Sequence, residues 1–192
     1  MVERSKTLEF KVAVLGAAGV GKSSLCLQFS RNRFPENYEP TVEDYYRKQM
    51  AVDGDAIMFY LIDTAGQDAS VGNLNSLIQQ AIGFIIVYDI TNRQTLQDAK
   101  QMRDRILHVK DTSHIPLVLV GNKSDVENKR EVTAETAKKL AEEWNCQSLE
   151  VSAKTRENLE TAFIECARKV KEEINNRKGR EGLQNCCLCR VF

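Results

Sequence analysis

The stretch GAAGVGKS, Gly16 to Ser23, decides how the rest of the chain is read. Before it runs KVAVL, Lys11 to Leu15, a short apolar and β-branched segment that predicts a strand. After it, Gly21 to Phe29 predicts a helix. Strand, glycine-rich turn and helix form the setting in which Gly-x4-Gly-Lys-Ser wraps phosphates. The glycines let consecutive backbone N–H groups turn inward on phosphate oxygens. The helix that follows offers its positive N-terminal end. Gly16, Ala17, Ala18, Gly19, Val20, Gly21, Lys22, Ser23 and Ser24 are therefore candidate phosphate contacts. Lys22 would reach the β- and γ-phosphates, and the Ser23 hydroxyl would ligate Mg²⁺. The competing reading is an ordinary glycine-rich turn, against which the flanking strand and helix count.

Outward from this stretch, the chain alternates short apolar runs with helical patterns. Tyr46 to Val52, Asp53-Gly54 and Ala56 to Ile62 read as a hairpin. FIIVY, Phe84 to Tyr88, and PLVLV, Pro116 to Val120, are continuous apolar runs of the kind buried on both faces of a parallel sheet. Leu96, Ala99, Met102, Ile106 and Val109 recur at helical spacing. So do Ala137, Leu140, Ala141 and Trp144, and Leu159, Phe163, Cys166, Val170 and Ile174. The expectation is an α/β fold with a mostly parallel sheet and helices on both faces. Ligands of such sheets sit beyond the carboxyl ends of the strands. The loops after Leu15, Ile62, Val120 and Val151 are then the ones to inspect.

Three of those loops carry chemistry beside the phosphate loop. In GNKSD, Gly121 to Asp125, the Asp125 carboxylate can accept from both N1–H and the 2-amino group of guanine. Adenine lacks those donors and would leave the carboxylate unpaired. The stem of Lys123 can lie over the base plane, and Asn122 belongs to the same motif. SAK, Ser152 to Lys154 with Ala153 between, could close the base pocket through backbone groups. In DTAGQ, Asp63 is placed to hold Mg²⁺, Gly66 to offer its N–H to a γ-phosphate, and Gln67 to orient an attacking water. Thr41, in YEPT, is a second candidate hydroxyl ligand for Mg²⁺.

In this order and spacing the motifs resemble the Ras family of small GTPases, over residues 9–174 and at the C-terminus. The resemblance implies a P-loop fold with a six-stranded mixed sheet. It implies a switch that binds GTP and GDP with Mg²⁺ and hydrolyses GTP slowly. Gln67, Lys22, Thr41 and Gly66 would be the catalytic set, and Ser23, Thr41 and Asp63 the metal set. Thr41 and Gly66 would be held by the γ-phosphate and released on hydrolysis, a behaviour for which Ras itself is the standard example. Phe34 matches the family aromatic that packs on the base, and Tyr38 and Pro40 flank Thr41 in the nucleotide contacts. YEPTVEDYY, Tyr38 to Tyr46, resembles the effector loop of the Ras and Rap branch. DTAGQD and EEWN are similar to Rheb. Implied partners are effectors at Tyr38–Tyr46, an exchange factor and an activating protein, with the protein itself a monomer.

Two departures stand out. Ala18 replaces the glycine of typical Ras and Rap proteins. Its methyl would enter the space between the γ-phosphate, Gln67 and an incoming arginine finger, where small displacements are expensive. Alternatively, the pocket accommodates it. The second departure is DASVGNLNSLIQQAIGF after Gln67, with Ser70 where the family carries tyrosine and no Lys or Arg before Phe84. There, Leu74, Leu77 and Ile78 either pack on the core or form an apolar effector patch. With them comes a second functional reading, a GTP-held binding module with negligible turnover. An ATP-dependent phosphotransferase is disfavoured by GNKSD.

Composition bounds the remainder. The 192 residues suit one domain with a tail, and 27 basic against 27 acidic residues give no reason to expect nucleic acid. No apolar run approaches the ~18 residues of a spanning helix, and the charged MVERSKTLEF does not read as a secretory signal. Cys26, Cys146 and Cys166 read as core thiols of a reducing cytosol. Residues 1–8 read as an extension, 9–174 as the GTPase domain and 175–192 as a flexible tail. Cys189-Arg190-Val191-Phe192 fits a prenylation box, and Cys186 and Cys187 are palmitoylation candidates. Arg177, Lys178 and Arg180 would add attraction to anionic lipid. These features predict a lipid-anchored protein on the cytoplasmic face of a membrane, the plasma membrane first. A zinc cluster in CCxC is the weaker alternative, since no histidine is near.

Overall fold

Strand β1, Leu8–Leu15, is buried on both faces from Val12 onward. Val12 and Val14 point into one hydrophobic cluster, Ala13 and Leu15 into another. The same alternation runs along β4, Gly83–Asp89, where Ile85 and Val87 oppose Phe84, Ile86 and Tyr88. A strand sandwiched between two cores needs apolar residues at every position, and this explains the continuous runs in the sequence. The computed structural model describes residues 7–35, 43–64 and 71–188, with backbone alone at 43, 71–72 and 179–188.

The order is β1, α1 (Lys22–Arg31), β2 (Glu43–Val52), β3 (Asp55–Thr64), α2 (Val71–Gln80), β4, α3 (Arg93–Lys110), β5 (Leu117–Asn122), a 3-10 turn at Ser124–Lys129, α4 (Ala134–Glu143), β6 (Gln147–Glu150) and α5 (Leu159–Leu188). The six strands form one sheet in the order β2-β3-β1-β4-β5-β6. Only the β2–β3 pair is antiparallel. Its two-residue turn has positive φ at both Asp53 (51°) and Gly54 (85°), the type I′ geometry that matches strand twist. The expected α/β architecture is present, six-stranded and mostly parallel.

Helices α1 and α5 cover one face and α2, α3 and α4 the other. Under the first lies an aromatic cluster. Phe29 stacks on Phe163 at 3.8 Å between centroids, and Phe59 meets Phe29 edge-on at 5.6 Å. The three helical faces read from the sequence all point inward, with Met102, Val109, Trp144 and Ile174 half-buried at their margins. Leu74, Leu77 and Ile78 are buried, no more than 5% exposed, so they serve the core and form no apolar patch. Cys26 and Cys166 are buried and Cys146 half-buried, all as free thiols. Burial pushes the Cys166 thiol up to about 12, so it is inert as a nucleophile.

Past Ile174, where the apolar periodicity ends, α5 continues in helical backbone through Leu188. A packed helix is already nucleated, so each added residue gains a backbone bond without a new nucleus. The Arg177–Glu173 pair, 2.8 Å and four residues apart, supports the extension.

Candidate nucleotide site

The phosphate loop is shaped by what glycine alone permits. Gly16 has φ 145°, and a Cβ there would stand 2.2 Å from the Val87 carbonyl oxygen. Gly21 has φ 96°, and a Cβ there would stand 2.2 Å from Asn122 Nδ2. Gly21 is the N-cap of α1 and supplies no side-chain cap, and the first turn holds no acidic residue. No side chain thus caps the first turn of α1, and a helix start of that kind takes an anion. Lys22 is 5% exposed, and its ammonium donates to the Ala17 carbonyl at 2.8 Å. Burial lowers the Lys22 pKa, with Asp63 opposing. Ala18 and Gly19 are exposed at the tip of the loop, and Ser23 and Ser24 are half-buried in the first turn of α1.

Asp63, near the carboxyl end of β3, is completely buried, and neither carboxylate oxygen has a hydrogen bond of good geometry. Burial pushes its pKa up to about 6, while the nearby Ser23 hydroxyl and Lys22 ammonium pull it down. Unpartnered buried carboxylates are costly. A divalent cation between Asp63 and Ser23 would supply the missing charge, so these residues fit Mg²⁺. The neighbouring Thr64 hydroxyl is already used, donating to the Val14 carbonyl at 3.1 Å. Tyr38, Pro40, Thr41, Gly66 and Gln67 lie outside the described residues. Phe34, just past α1, is 39% exposed.

The guanine-side residues converge from β5 and β6. Asn122 is 2% exposed, and both ends of its amide are used. Nδ2 donates to the Val20 carbonyl at 2.8 Å, and Oδ1 accepts from the Ala153 backbone N–H at 3.2 Å. One side chain thereby ties the phosphate loop to both base loops. The sequence reading placed Asn122 in the base motif; its amide here braces the loops. Asp125 is exposed, and its Oδ1 accepts from the Ser152 hydroxyl at 2.7 Å. Ser152 also accepts from the Thr155 backbone N–H at 3.0 Å. Asp125 is thus oriented while its second oxygen remains for a ligand. Ala153 is buried and Lys154 exposed.

Lys123 adopts φ 72°, and its ammonium pairs with Asp89 at 2.5 Å. Burial would raise the Asp89 pKa, but hydrogen bonds from Lys123 and Thr91 hold the carboxyl below its usual value. Sequence reasoning missed Asp89, because the loop after Tyr88 was not among those singled out. The available signal was an acidic residue ending an apolar strand on the ligand side of a parallel sheet. Glu157 was missed as well. It accepts from the Ser124 hydroxyl at 3.0 Å, and its carbonyl from the Ser152 N–H at 3.2 Å.

The geometry therefore joins an anion-binding helix start, an unpartnered carboxylate fit for a divalent cation, and an oriented carboxylate suited to guanine. The sequence pattern of the Ras family matches residues 11–172. The Ras-like protein rasB of Dictyostelium discoideum is 41% identical over 178 residues, covering 91% of this chain and 90% of that protein.

Proposed function

The chain belongs to the Ras family, and from that premise we propose a membrane-anchored switch that hydrolyses GTP slowly, responds weakly to arginine-finger activators and signals through Tyr38–Tyr46. The family assignment makes the protein a GTP-binding GTPase, converting GTP to GDP and phosphate. The observation that carries the reading of the site is the Asn122 brace, which fixes phosphate loop and base loops at one spacing.

In this reading Gly16 to Ser24 cradle the phosphates, and Lys22 moves from the Ala17 carbonyl to the β- and γ-phosphates. Ser23, Thr41 and Asp63 hold Mg²⁺, which when bound neutralises charge on the β- and γ-oxygens. Asp125 selects guanine, Lys123 lies against the base, and Ala153 and Lys154 close the pocket. Phe34 covers the base, with Tyr38 and Pro40 flanking Thr41. Gln67 orients the attacking water and Gly66 binds the γ-phosphate. Ala18 stands at an exposed tip of the loop, which supports interference with an incoming arginine more than with nucleotide binding. The protein acts as a monomer, with an exchange factor and an activating protein as regulators.

Cys189 would carry the prenyl group and Cys186 or Cys187 a palmitate, since one lipid gives only marginal binding. So anchored, the protein would sit on the cytoplasmic face of a membrane, the plasma membrane first. Ala18 and the segment after Gln67 also favour a second reading, a GTP-held binding module. Single-turnover decay of preloaded GTP, with Mg²⁺, separates the two. Conversion within minutes to hours supports the switch. Intact GTP after a day supports the binding module, and recovery in Ala18→Gly would assign the block to that methyl.

A further inference from the structure

The loop from Ser152 to Asn158 leads from β6 into α5 and carries two non-glycine residues in left-handed backbone, Arg156 at φ 69° and Asn158 at φ 51°. Backbone of that kind is uncommon for arginine and persists where its surroundings hold it. Both residues are held by their own side chains. The Arg156 guanidinium donates to Asn32 Oδ1 at 2.6 Å, and Asn158 Nδ2 donates to the Glu150 carbonyl at 3.0 Å. Between these two anchors stands Glu157. Its backbone carbonyl accepts from the Ser152 N–H at 3.2 Å. Its carboxylate, across 33 residues of chain, accepts from the Ser124 hydroxyl at 3.0 Å.

Both of those partners bear on Asp125. Ser152 fixes one oxygen of the Asp125 carboxylate through its hydroxyl, at 2.7 Å. Ser124 directly precedes Asp125, and its N–H donates to the Val151 carbonyl at 3.1 Å. Glu157 therefore holds the residue leading into Asp125 on one side and the hydroxyl donor to its carboxylate on the other. We propose that Glu157 is a positioning residue for guanine recognition, clasping the loops after β5 and β6 so that the Asp125 carboxylate faces the base in one orientation. This role rests on the reading of Asp125 as the guanine-selecting residue. A carboxylate meets N1–H and the 2-amino group together only when its two oxygens lie in line with both donors. Each oxygen has two lone pairs, so the one held by Ser152 can still accept from the base. Turned out of that line, the carboxylate keeps one bond and loses the other. Hypoxanthine has the N1–H but no 2-amino group, so it offers one bond in either case. The clasp thus acts on the difference between guanine and hypoxanthine.

The test uses the full chain with Mg²⁺ and two probes, GDP and IDP, whose dissociation constants are measured by competition. Native protein is expected to prefer GDP. Glu157→Ala is expected to lower that preference about fivefold, the scale of one hydrogen bond, and to change IDP affinity by less than about twofold. Glu157→Gln keeps an acceptor for Ser124 and is expected to stay within about twofold of the native preference. Ser124→Ala should lose as much as Glu157→Ala, and the double variant no more than either alone, as for two ends of one bond. Equal losses for GDP and IDP in Glu157→Ala would show a merely structural role and overturn the proposal. So would Glu157→Gln behaving like Glu157→Ala, which would make the effect one of charge, or additive losses in the double variant. Should Glu157→Ala fail to fold, Ser124→Ala decides alone, and an unchanged preference there would overturn the proposal. Native protein that binds GDP and IDP equally would sink the reading of Asp125 and this role with it. A native preference for GDP that Glu157→Ala leaves untouched would sink this role alone.

Discussion

At the guanine side of the site, every buried polar group named above has a partner within the protein. Asn122 uses both ends of its amide, Ser152 both donates and accepts, and Lys123 is paired with Asp89. At the phosphate side, the two oxygens of Asp63 are buried with no hydrogen bond of good geometry, only the nearby Ser23 hydroxyl and Lys22 ammonium acting on them, and no side chain caps the first turn of α1. The first region is tied together before a ligand arrives, with one Asp125 oxygen left over. The second is left short of positive charge at one point and of an anion at another. Buried groups of that kind are tolerated where a ligand completes them, so binding of cation and phosphate stabilises the fold as well as the complex.

Substitutions at the two sides should therefore fail differently. Asp125→Asn is expected to cost most: the charged acceptor for two guanine donors is lost, at about 1.5–3 kcal/mol per charge-assisted bond, or roughly 10² to 10⁴ in GDP affinity. GDP dissociation rates give the measurement; Tm of the nucleotide-free protein should hardly move, whereas Tm in GDP should fall with the lost affinity. Asn122→Ala leaves the Val20 carbonyl and the Ala153 N–H unpaired, at about 1–3 kcal/mol each. That variant should lose both affinity and Tm, since the brace serves the fold even without ligand. A normal Tm in Asn122→Ala would break the contrast between the two sides.

At the phosphate side the effects should depend on conditions. Ala18→Gly is expected to leave GDP affinity within about twofold and to raise arginine-finger-stimulated hydrolysis tenfold or more, on the order of the loss of one displaced transition-state contact. Stopped-assay phosphate release with an activating protein of the family reads it. The smallest effect concerns pH. With cation chelated, the folded Asp63 titrates near 6, above its unfolded value of about 4. Between these values the folded state binds the extra proton, so stability falls as pH rises from about 4 to 6 and is flat above. Chelated, GDP-loaded protein should thus melt relatively higher at pH 5 than at pH 7, and Asp63→Asn should remove that difference. A slope that survives the substitution would assign it to another group.

How much was legible in the sequence varied with the range of the interaction. The strand and helix order followed from periodicity, because burial on one or two faces writes itself into neighbouring residues. The phosphate loop and GNKSD were legible because each motif is local, its chemistry set by residues a few positions apart. Leu74, Leu77 and Ile78 stayed ambiguous, since an apolar helix stripe looks the same whether it faces a core or a partner. The pairings of Asp89 and Glu157 were hidden for a related reason: their partners, Lys123 and Ser124, are 34 and 33 residues away. The helical run to Leu188 has no apolar pattern of its own and continues from the packed helix before it.

By itself, then, the sequence determined the α/β class, the phosphate-binding loop and the guanine-type loop, all consequences of short-range spacing and backbone chemistry. Tertiary structure alone decided that Asn122 spends its amide on Val20 and Ala153, that Asp63 is buried beside Ser23 and Lys22 with no hydrogen bond of good geometry, and that cations from α3 and α4 share one groove. Each of these joins segments that only the parallel sheet brings together, and no spacing along the chain encodes such a meeting.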